Sequence, residues 1–398
     1  MNTPLRSLAA LIALTAFLAA CAGANPRPIT TPPMTTTASS PGVSLLPDEP
    51  PPHGATLDYT TDFSRHSVPY RDIISLGIPR DGIAPIGNPR FIAVSEGNEW
   101  LADQEAVVFV EVGSDERAYP VQILTWHEIV NDMVGGVPLV ITYCPLCNSA
   151  IAFERSVAGQ ILEFGNTCRL YYSNLILYDR QSQSWWQQAS GEAIAGKLTG
   201  TRLIFRPAPI ISWAEFKAAY PDGKVLSRDT GYERTYGRNP YVGYDDVTNP
   251  PQYYAGPETP DAMAPVARVL GIDLGSQSVA YPYDLLQRVR VVNDRVGGTD
   301  VVVMWAPGTA SALDALSVST GREVGAANAF ARALGGRTLT FALEGSRVLD
   351  LETRSEWDLL GRAVSGKLVG EKLTPIVAVN HFWFSWSAFR PGTRIFHP

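Results

Sequence analysis

Two cysteines and one histidine are the residues of this chain whose types and spacing best suit chemistry. Cys144 and Cys147 form a C-x-x-C pair, and His127 precedes them. Asn148 follows the pair where a c-type haem motif requires histidine, so haem attachment is excluded. Since strand-like runs lead into and out of the pair, we expect it at a hairpin tip with Asn148 in the left-handed conformation.

The pattern supports three interpretations, which the sequence leaves open. Imidazole and thiolate ligands suit copper or zinc, so the first is a metal centre with His127, Cys144 and Cys147 as ligands, in metal handling or metal-dependent redox chemistry. The second is a thiol–disulfide oxidoreductase, with Cys144 as nucleophile, Cys147 as resolving thiol and His127 lowering the thiol pKa. A third is a non-catalytic binding or scaffold module, so the pattern does not decide whether the chain is an enzyme.

An internal repeat divides the chain. Residues 118–147 and 280–309 align without gaps at an offset of 162, with 12 of the 30 positions identical. Two further blocks recur in the same order, so we predict a tandem duplication, with a first unit at 58–240 and a second, degenerate unit at 241–398.

The two units differ at the reactive positions. His127, Cys144 and Cys147 correspond to Val289, Ala306 and Thr309, so all three reactive side chains are lost together. This joint loss indicates one shared site in the first unit. The residues kept in both units are expected to form turns; in the first unit they are Asn131, Asp132, Gly135 and Gly136.

Two neighbouring residues are weaker candidates for the same site. Cys168 lies in a stretch that is about six residues longer in the first unit than in the second, and it could be a fourth metal ligand or a resolving thiol. A lone cysteine is more often a small buried apolar group. Glu128 could orient His127 as a hydrogen-bond partner.

Short apolar runs punctuated by glycine and proline favour a β-dominated α+β fold, built as two tandem units of short strands with a few short helices. Strands are expected at 106–112, 138–144 and 174–180, and helical turns at 125–134 and 212–220. A formal net charge of −7 argues against a nucleic-acid partner, because phosphate contact needs a basic face.

The N-terminus is interpreted as an export signal. Residues 1–20 contain an apolar run too short to span a bilayer, which is typical of a signal peptide. It ends in Leu-Ala-Ala-Cys at 18–21, a bacterial lipobox pattern, so Cys21 is the predicted lipidation site and a lipid anchor would join the protein to the membrane. A Pro/Thr/Ser-rich tether follows at 21–57. The predicted location is the extracytoplasmic cell envelope, at the outer membrane if the host has two membranes.

The motifs WHEIVND at 126–132 and TYCPLC at 142–147 resemble a bacterial and archaeal family catalogued as domain of unknown function 3179. The resemblance extends over about 75–398. It implies an exported or lipid-anchored protein and supplies no activity, substrate or protein partner.

Overall fold

The computed structural model describes residues 44–398, which belong to one compact unit dominated by short strands. This agrees with the predicted β-dominated α+β class. The predicted signal peptide and Cys21 lie outside the described residues. Among the residues described, no helix is both long and apolar enough to cross a membrane.

The first half contains sixteen strands and four helices. The strands are β1 (Ile73–Ser75), β2 (Phe91–Ala93), β3 (Ala106–Val112), β4 (Asp115–Pro120), β5 (Ile129–Val134), β6 (Val137–Cys144), β7 (Ser149–Glu154), β8 (Ser156–Val157), β9 (Gln160–Ile161), β10 (Phe164–Tyr171), β11 (Asn174–Asp179), β12 (Trp185–Gln187), β13 (Glu192–Ala195), β14 (Ile204–Arg206), β15 (Ile210–Ser212) and β16 (Lys224–Leu226). The helices are α1 (Ala55–Asp58), α2 (Val94–Gly97), α3 (Val121–His127) and α4 (Trp213–Ala219).

The second half contains thirteen strands and two helices. The strands are β17 (Arg268–Leu274), β18 (Gln277–Pro282), β19 (Val291–Val296), β20 (Thr299–Ala306), β21 (Ala326–Ala331), β22 (Ala333–Leu334), β23 (Arg337–Thr338), β24 (Phe341–Glu344), β25 (Arg347–Asp350), β26 (Glu356–Trp357), β27 (Ala363–Ser365), β28 (Ala378–Phe382) and β29 (Arg394–Ile395). The helices are α5 (Tyr283–Val289) and α6 (Trp383–Phe389). Three 3-10 turns complete the regular structure: Tyr70–Asp72, Pro145–Cys147 and Val318–Thr320.

The two halves present the same elements in the same order. The series β3-β4-α3-β5-β6-β7 is matched by β17-β18-α5-β19-β20-β21, with equal lengths at each step. In both halves the second strand of the series also pairs in parallel with a later strand, β16 in the first half and β29 in the second. The tandem duplication remains a prediction about how this arrangement arose.

Part of the predicted helical stretch at 125–134 is a strand. Helix α3 ends at His127, Glu128 adopts a left-handed φ of 58°, and β5 begins at the next residue. Asn131 lies within β5, so the prediction that it forms a turn is wrong, and the same holds for Asp132. The β-branched residues of this stretch favour a strand, and β5 is buried against β6 by long-range packing that a local helical spacing cannot reveal.

The globular body begins before the end of the predicted tether. Residues 44–57 pack on the first half, where Leu46 N donates to His66 O at 2.9 Å and Ala55 is buried. The buried His66 ring lies between two carbonyl oxygens, that of Pro47 at 3.1 Å and that of Val68 at 2.9 Å. This segment therefore forms specific contacts with the first half despite its proline-rich composition.

The halves share their cores. Phe382 and Phe384, at the end of β28 and in α6, pack in the same buried cluster as Cys144 and Cys147 of the first half. In return, Phe216 of α4 belongs to a cluster that is completed by second-half side chains. Each half thus covers part of the other, and the connection between them, residues 227–267, forms no helix or sheet strand.

Candidate functional site

The C-x-x-C pair lies at the tip of the β6–β7 hairpin, as the sequence predicts. Strand β6 ends at Cys144, a 3-10 turn opens with Pro145, and Asn148 closes the turn with a left-handed φ of 51° before β7 begins. Proline suits the first position of such a turn because its φ is already restricted, and asparagine tolerates the left-handed conformation. The turn directs both cysteines into the protein.

Both sulfur atoms face one backbone oxygen. The Sγ atoms of Cys144 and Cys147 lie 3.7 Å and 3.4 Å from the carbonyl oxygen of Ser173, and both thiols are free and buried. Ser173 and Tyr172 form the left-handed turn between β10 and β11, with φ of 65° and 53°. The pair is therefore enclosed between two hairpin tips, and its sulfur atoms lie side by side.

A buried carboxyl group lies near the pair. Glu128 occupies the left-handed position after α3, and its Oε2 accepts a 2.7 Å hydrogen bond from Asn166 Nδ2. Burial raises the pKa of Glu128 to about 7. Burial also raises the pKa of Cys144, and the neighbouring Cys147 and the charge of Glu128 raise that pKa further. The expected contact between Glu128 and His127 is not formed, because adjacent residues on either side of a helix end point apart.

His127 is buried and engaged elsewhere. Its Nδ1 lies 2.7 Å from Ala84 O and its Nε2 lies 2.6 Å from the hydroxyl of Tyr236. Because a carbonyl oxygen only accepts, Nδ1 is the donor, and Nε2 of the neutral ring accepts from tyrosine. Burial lowers the pKa of His127, in keeping with a neutral ring. The structure thus brings Cys144 and Cys147 together and gives His127 two other partners.

Cys168 occupies a bulge in β10, with a left-handed φ of 52°. Its backbone N donates to Asn166 Oδ1 at 2.7 Å, so one asparagine side chain contacts both this bulge and Glu128. Burial raises the pKa of the Cys168 thiol to about 11, with a further increase from the charge of Glu128. Within residues 44–398, no three His, Cys, Asp or Glu side chains are grouped as a metal ion would require.

The connection between the halves covers the site, a role that was not predicted from the sequence. Tyr244 donates to Leu146 O at 2.9 Å, Ser173 Oγ donates to Gln252 O at 2.6 Å, and Tyr241 packs against the cysteine cluster. We call residues 227–267 the cover segment. Its composition offered a signal, because it contains six tyrosines, Tyr232, Tyr236, Tyr241, Tyr244, Tyr253 and Tyr254, in a stretch with no periodic pattern.

Comparison with known proteins identifies one related family. A sequence model described as "Protein of unknown function (DUF3179)" matches residues 80–393, which includes both halves, the cysteine pair and the cover segment. No curated protein and no solved structure matched the chain. The match agrees with the resemblance in the WHEIVND and TYCPLC motifs.

Proposed function

The chain belongs to the DUF3179 family, and we propose that its first half is a thiol–disulfide exchange site in which Cys144 and Cys147 alternate between a dithiol and a disulfide. The observation that carries this proposal is the convergence of the two free sulfur atoms on Ser173 O, at 3.7 Å and 3.4 Å. Adjacent buried thiols in a C-x-x-C turn need little chain movement to form a bond between them.

Glu128 supplies the proton acceptor that such a pair requires. A carboxyl group whose pKa is raised to about 7 is partly ionised near neutral pH, and it lies close enough to Cys144 for its charge to raise the pKa of that thiol. An ionised Glu128 therefore opposes a neighbouring thiolate, whereas a Glu128 that takes up the thiol proton becomes neutral and does not. The reactive species in exchange is the thiolate, so removing the Cys144 proton is the first requirement. His127, which the sequence suggested as the residue that lowers the thiol pKa, forms its hydrogen bonds with Ala84 and Tyr236 instead.

The exchange step uses a disulfide-bearing partner as the oxidant. The Cys144 proton passes to Glu128, and the thiolate attacks one sulfur of the partner's disulfide, whose other sulfur leaves and takes that proton. Cys147 then attacks Cys144 in the mixed disulfide, and its own proton goes to the second leaving sulfur. The pair becomes a disulfide, and the partner gains two electrons and two protons.

Access to the pair depends on the cover segment. Both thiols are buried, and Tyr244 and Gln252 hydrogen-bond to the two turns that enclose them. Long connections without regular structure often act as lids over sites. We therefore expect exchange to follow opening of this segment, which also keeps the thiols from non-specific oxidants.

A redox titration tests the proposal. The chain from Ala22 is equilibrated in mixtures of oxidised and reduced glutathione, alkylated, and analysed by peptide mass spectrometry. We expect one two-electron transition at Cys144 and Cys147. Cys147→Ser should trap a glutathione mixed disulfide on Cys144, while the control Cys168→Ser should keep the transition. If the folded protein forms no Cys144–Cys147 disulfide at any ratio, the proposal is wrong.

A soft metal ion at the same pair is the second candidate, favoured by two side-by-side thiols that suit copper or zinc. In this proposal His127 becomes a ligand by exchanging its Tyr236 hydrogen bond for the metal, and Cys168 is a further candidate ligand. Elemental analysis of protein purified without chelator should give one equivalent of metal, which Cys144→Ser abolishes. Tyr236→Phe, which frees Nε2 of His127, should strengthen binding. Absence of metal from wild type and from Tyr236→Phe would rule this candidate out.

We also propose that the protein is held in the cell envelope through a lipid on Cys21. The support is the apolar run at 8–17 followed by the lipobox at 18–21. Metabolic labelling with a radioactive fatty acid should mark the wild-type protein in the membrane fraction. Cys21→Ser should lose the label, and Cys168→Ser should retain it; equal labelling of Cys21→Ser would contradict the anchor.

A further inference from the structure

The second half contains an open pocket that the proposed thiol chemistry does not use. We call it the Arg290 pocket; its walls include Arg290, Trp305, Ala306, Arg347 and Trp357. Its volume is about 450 Å³, within the range of small-molecule sites, roughly 300–1,000 Å³. Most of its lining is apolar, and α4 of the first half closes one side.

The pocket corresponds in position to the cysteine site of the first half. Arg290 N donates to Leu286 O at 2.7 Å after α5, as Glu128 N donates to Leu124 O at 2.6 Å after α3. The strands that follow are also equivalent. Trp305 N donates to Arg290 O at 2.8 Å, and Tyr143 N donates to Glu128 O at the same distance. Ala306 accordingly stands where the first half has Cys144, and a basic side chain replaces the buried acid.

Two structural differences leave this position open. In the first half the β10–β11 hairpin runs from Phe164 to Asp179 and its tip covers the cysteines; the matching β24–β25 hairpin runs only from Phe341 to Asp350. The cover segment contacts the first site through Tyr244 and Gln252 and contributes no residue to the lining of the Arg290 pocket. Loss of the cysteines thus coincides with the opening of a cavity.

The pocket holds a guanidinium group, that of Arg290, which has no hydrogen-bond or ion-pair partner within residues 44–398. The Arg290 guanidinium lies 4.8 Å from the centre of the Trp305 ring, and among the described residues it forms no hydrogen bond or ion pair. A guanidinium group carries five N–H donors and no acceptor, so the site favours a ligand that brings acceptor oxygens.

The acidic side chains of the lining are already engaged. Each carboxyl group has its own partner: Asp358 with Arg362 at 2.8 Å, Glu356 with Arg347 at 3.8 Å, and Glu215 with Ser212 N at 2.9 Å. These contacts reduce the repulsion that an incoming anion would meet. The positive charge of Arg290 is therefore the feature of the pocket that remains available to a ligand.

We propose that the Arg290 pocket binds a small organic carboxylate with an apolar or aromatic body. The carboxylate pairs with the Arg290 guanidinium, whose planar donors match two carboxylate oxygens. The body packs against Trp305, Trp357 and Met304. Arginine stacked on an indole is pre-oriented, which lowers the entropy lost when the ligand binds.

Isothermal titration calorimetry with phenylpropionate tests this proposal, with the neutral phenylpropanamide as the matched probe. The chain from Ala22 should bind the acid saturably and at least about tenfold more tightly than the amide, because only the acid forms a charge-assisted pair. Arg290→Gln should weaken binding of the acid by at least about tenfold and leave the amide unchanged. Arg295→Gln is the control, since Arg295 is exposed on β19, outside the pocket.

A second variant locates the site. Ala306→Phe fills the cavity and should abolish binding of both probes, while Cys144→Ser should retain binding, because this inference does not depend on the thiol function. Equal affinity for acid and amide, unchanged binding in Arg290→Gln, or no saturable binding to wild type would each overturn the proposal.

Discussion

Asn131 pairs with the backbone of Phe164 as a neighbouring strand would. Its Nδ2 donates to Phe164 O and its Oδ1 accepts from Phe164 N, both at 2.8 Å. The side chain thereby fastens the start of β10, which leads to the turn over the cysteines, to strand β5. In the second half, Asn293 makes the same two bonds to Phe341, at 2.8 Å and 2.9 Å.

The two asparagines provide a matched stability test. Asn131 is buried, so in Asn131→Ala no water can replace the lost side chain. The N–H and carbonyl of Phe164 then stay unpaired, and the protein should be destabilised by about 2–4 kcal/mol. Asn293 is exposed, and Asn293→Ala should cost about 1 kcal/mol because water replaces the lost bonds. Urea unfolding measures both values. Equal losses in the free energy of unfolding would show that burial does not determine how much this contact contributes to stability.

Weakening the cover segment should expose the thiols. Tyr244→Phe removes the hydrogen bond to Leu146 O, which is worth about 1 kcal/mol, so labelling of Cys144 and Cys147 by a thiol reagent should accelerate about fivefold. Tyr253→Phe is the control, because Tyr253 is exposed in the same segment. Labelling rates are measured by mass spectrometry under native conditions. Equal acceleration in both variants would mean that the cover does not limit access.

The hydrogen bond to His127 should stabilise the fold. Tyr236→Phe leaves Nε2 of the buried ring without its 2.6 Å partner, and we expect a loss of about 1–2 kcal/mol in the free energy of unfolding. Tyr232→Phe is the matched control, since that ring packs on His127 and is partly exposed. A Tyr236→Phe protein as stable as wild type would show that the imidazole readily finds another donor.

His381 is a buried histidine in β28, the strand that leads into α6, and it should make the stability of the protein depend on pH. Burial lowers the pKa of His381 from 6.5 to about 3. Below about pH 6.5 this histidine takes up a proton in the unfolded chain but stays neutral in the folded protein. The free energy of unfolding therefore falls as the pH drops from 6.5 toward 3. Between pH 7 and 4.5 the resulting loss in the free energy of unfolding is on the order of 2–3 kcal/mol.

Removing the imidazole isolates this contribution. His381→Gln should flatten the fall in stability over that pH range, while His53→Gln, at an exposed histidine, should leave it unchanged. Urea unfolding at several pH values provides the measurement. The assignment to His381 fails if both variants retain the wild-type slope.

Local signals in the sequence were sufficient for the hairpin that carries the cysteines. A β-rich apolar run at 138–144 predicted β6, Asn148 predicted a turn that passes through the left-handed conformation, and the structure has both. Gly135 and Gly136 were also predicted to form a turn, and their φ values of 53° and 79° agree. These features depend on residues close together in the chain, where the conformational preferences of proline, glycine and asparagine act directly.

Long-range contacts decided the rest. The partners of His127 are Ala84 and Tyr236, which lie 43 and 109 positions away in loops, and no spacing rule connects them. The change from helix to strand at Glu128 follows from burial of β5 against β6. A buried carboxyl near a thiol likewise becomes visible only when the surrounding elements have packed.

The sequence by itself therefore determined a strand-rich chain with two matching halves and a C-x-x-C turn in the first of them. The tertiary structure decided which groups surround that turn, namely Glu128, Ser173 and the cover segment, and it opened the Arg290 pocket at the matching position. Turn and strand preferences are local properties of residues, whereas burial, which sets pKa values and access, depends on every segment that packs around a site.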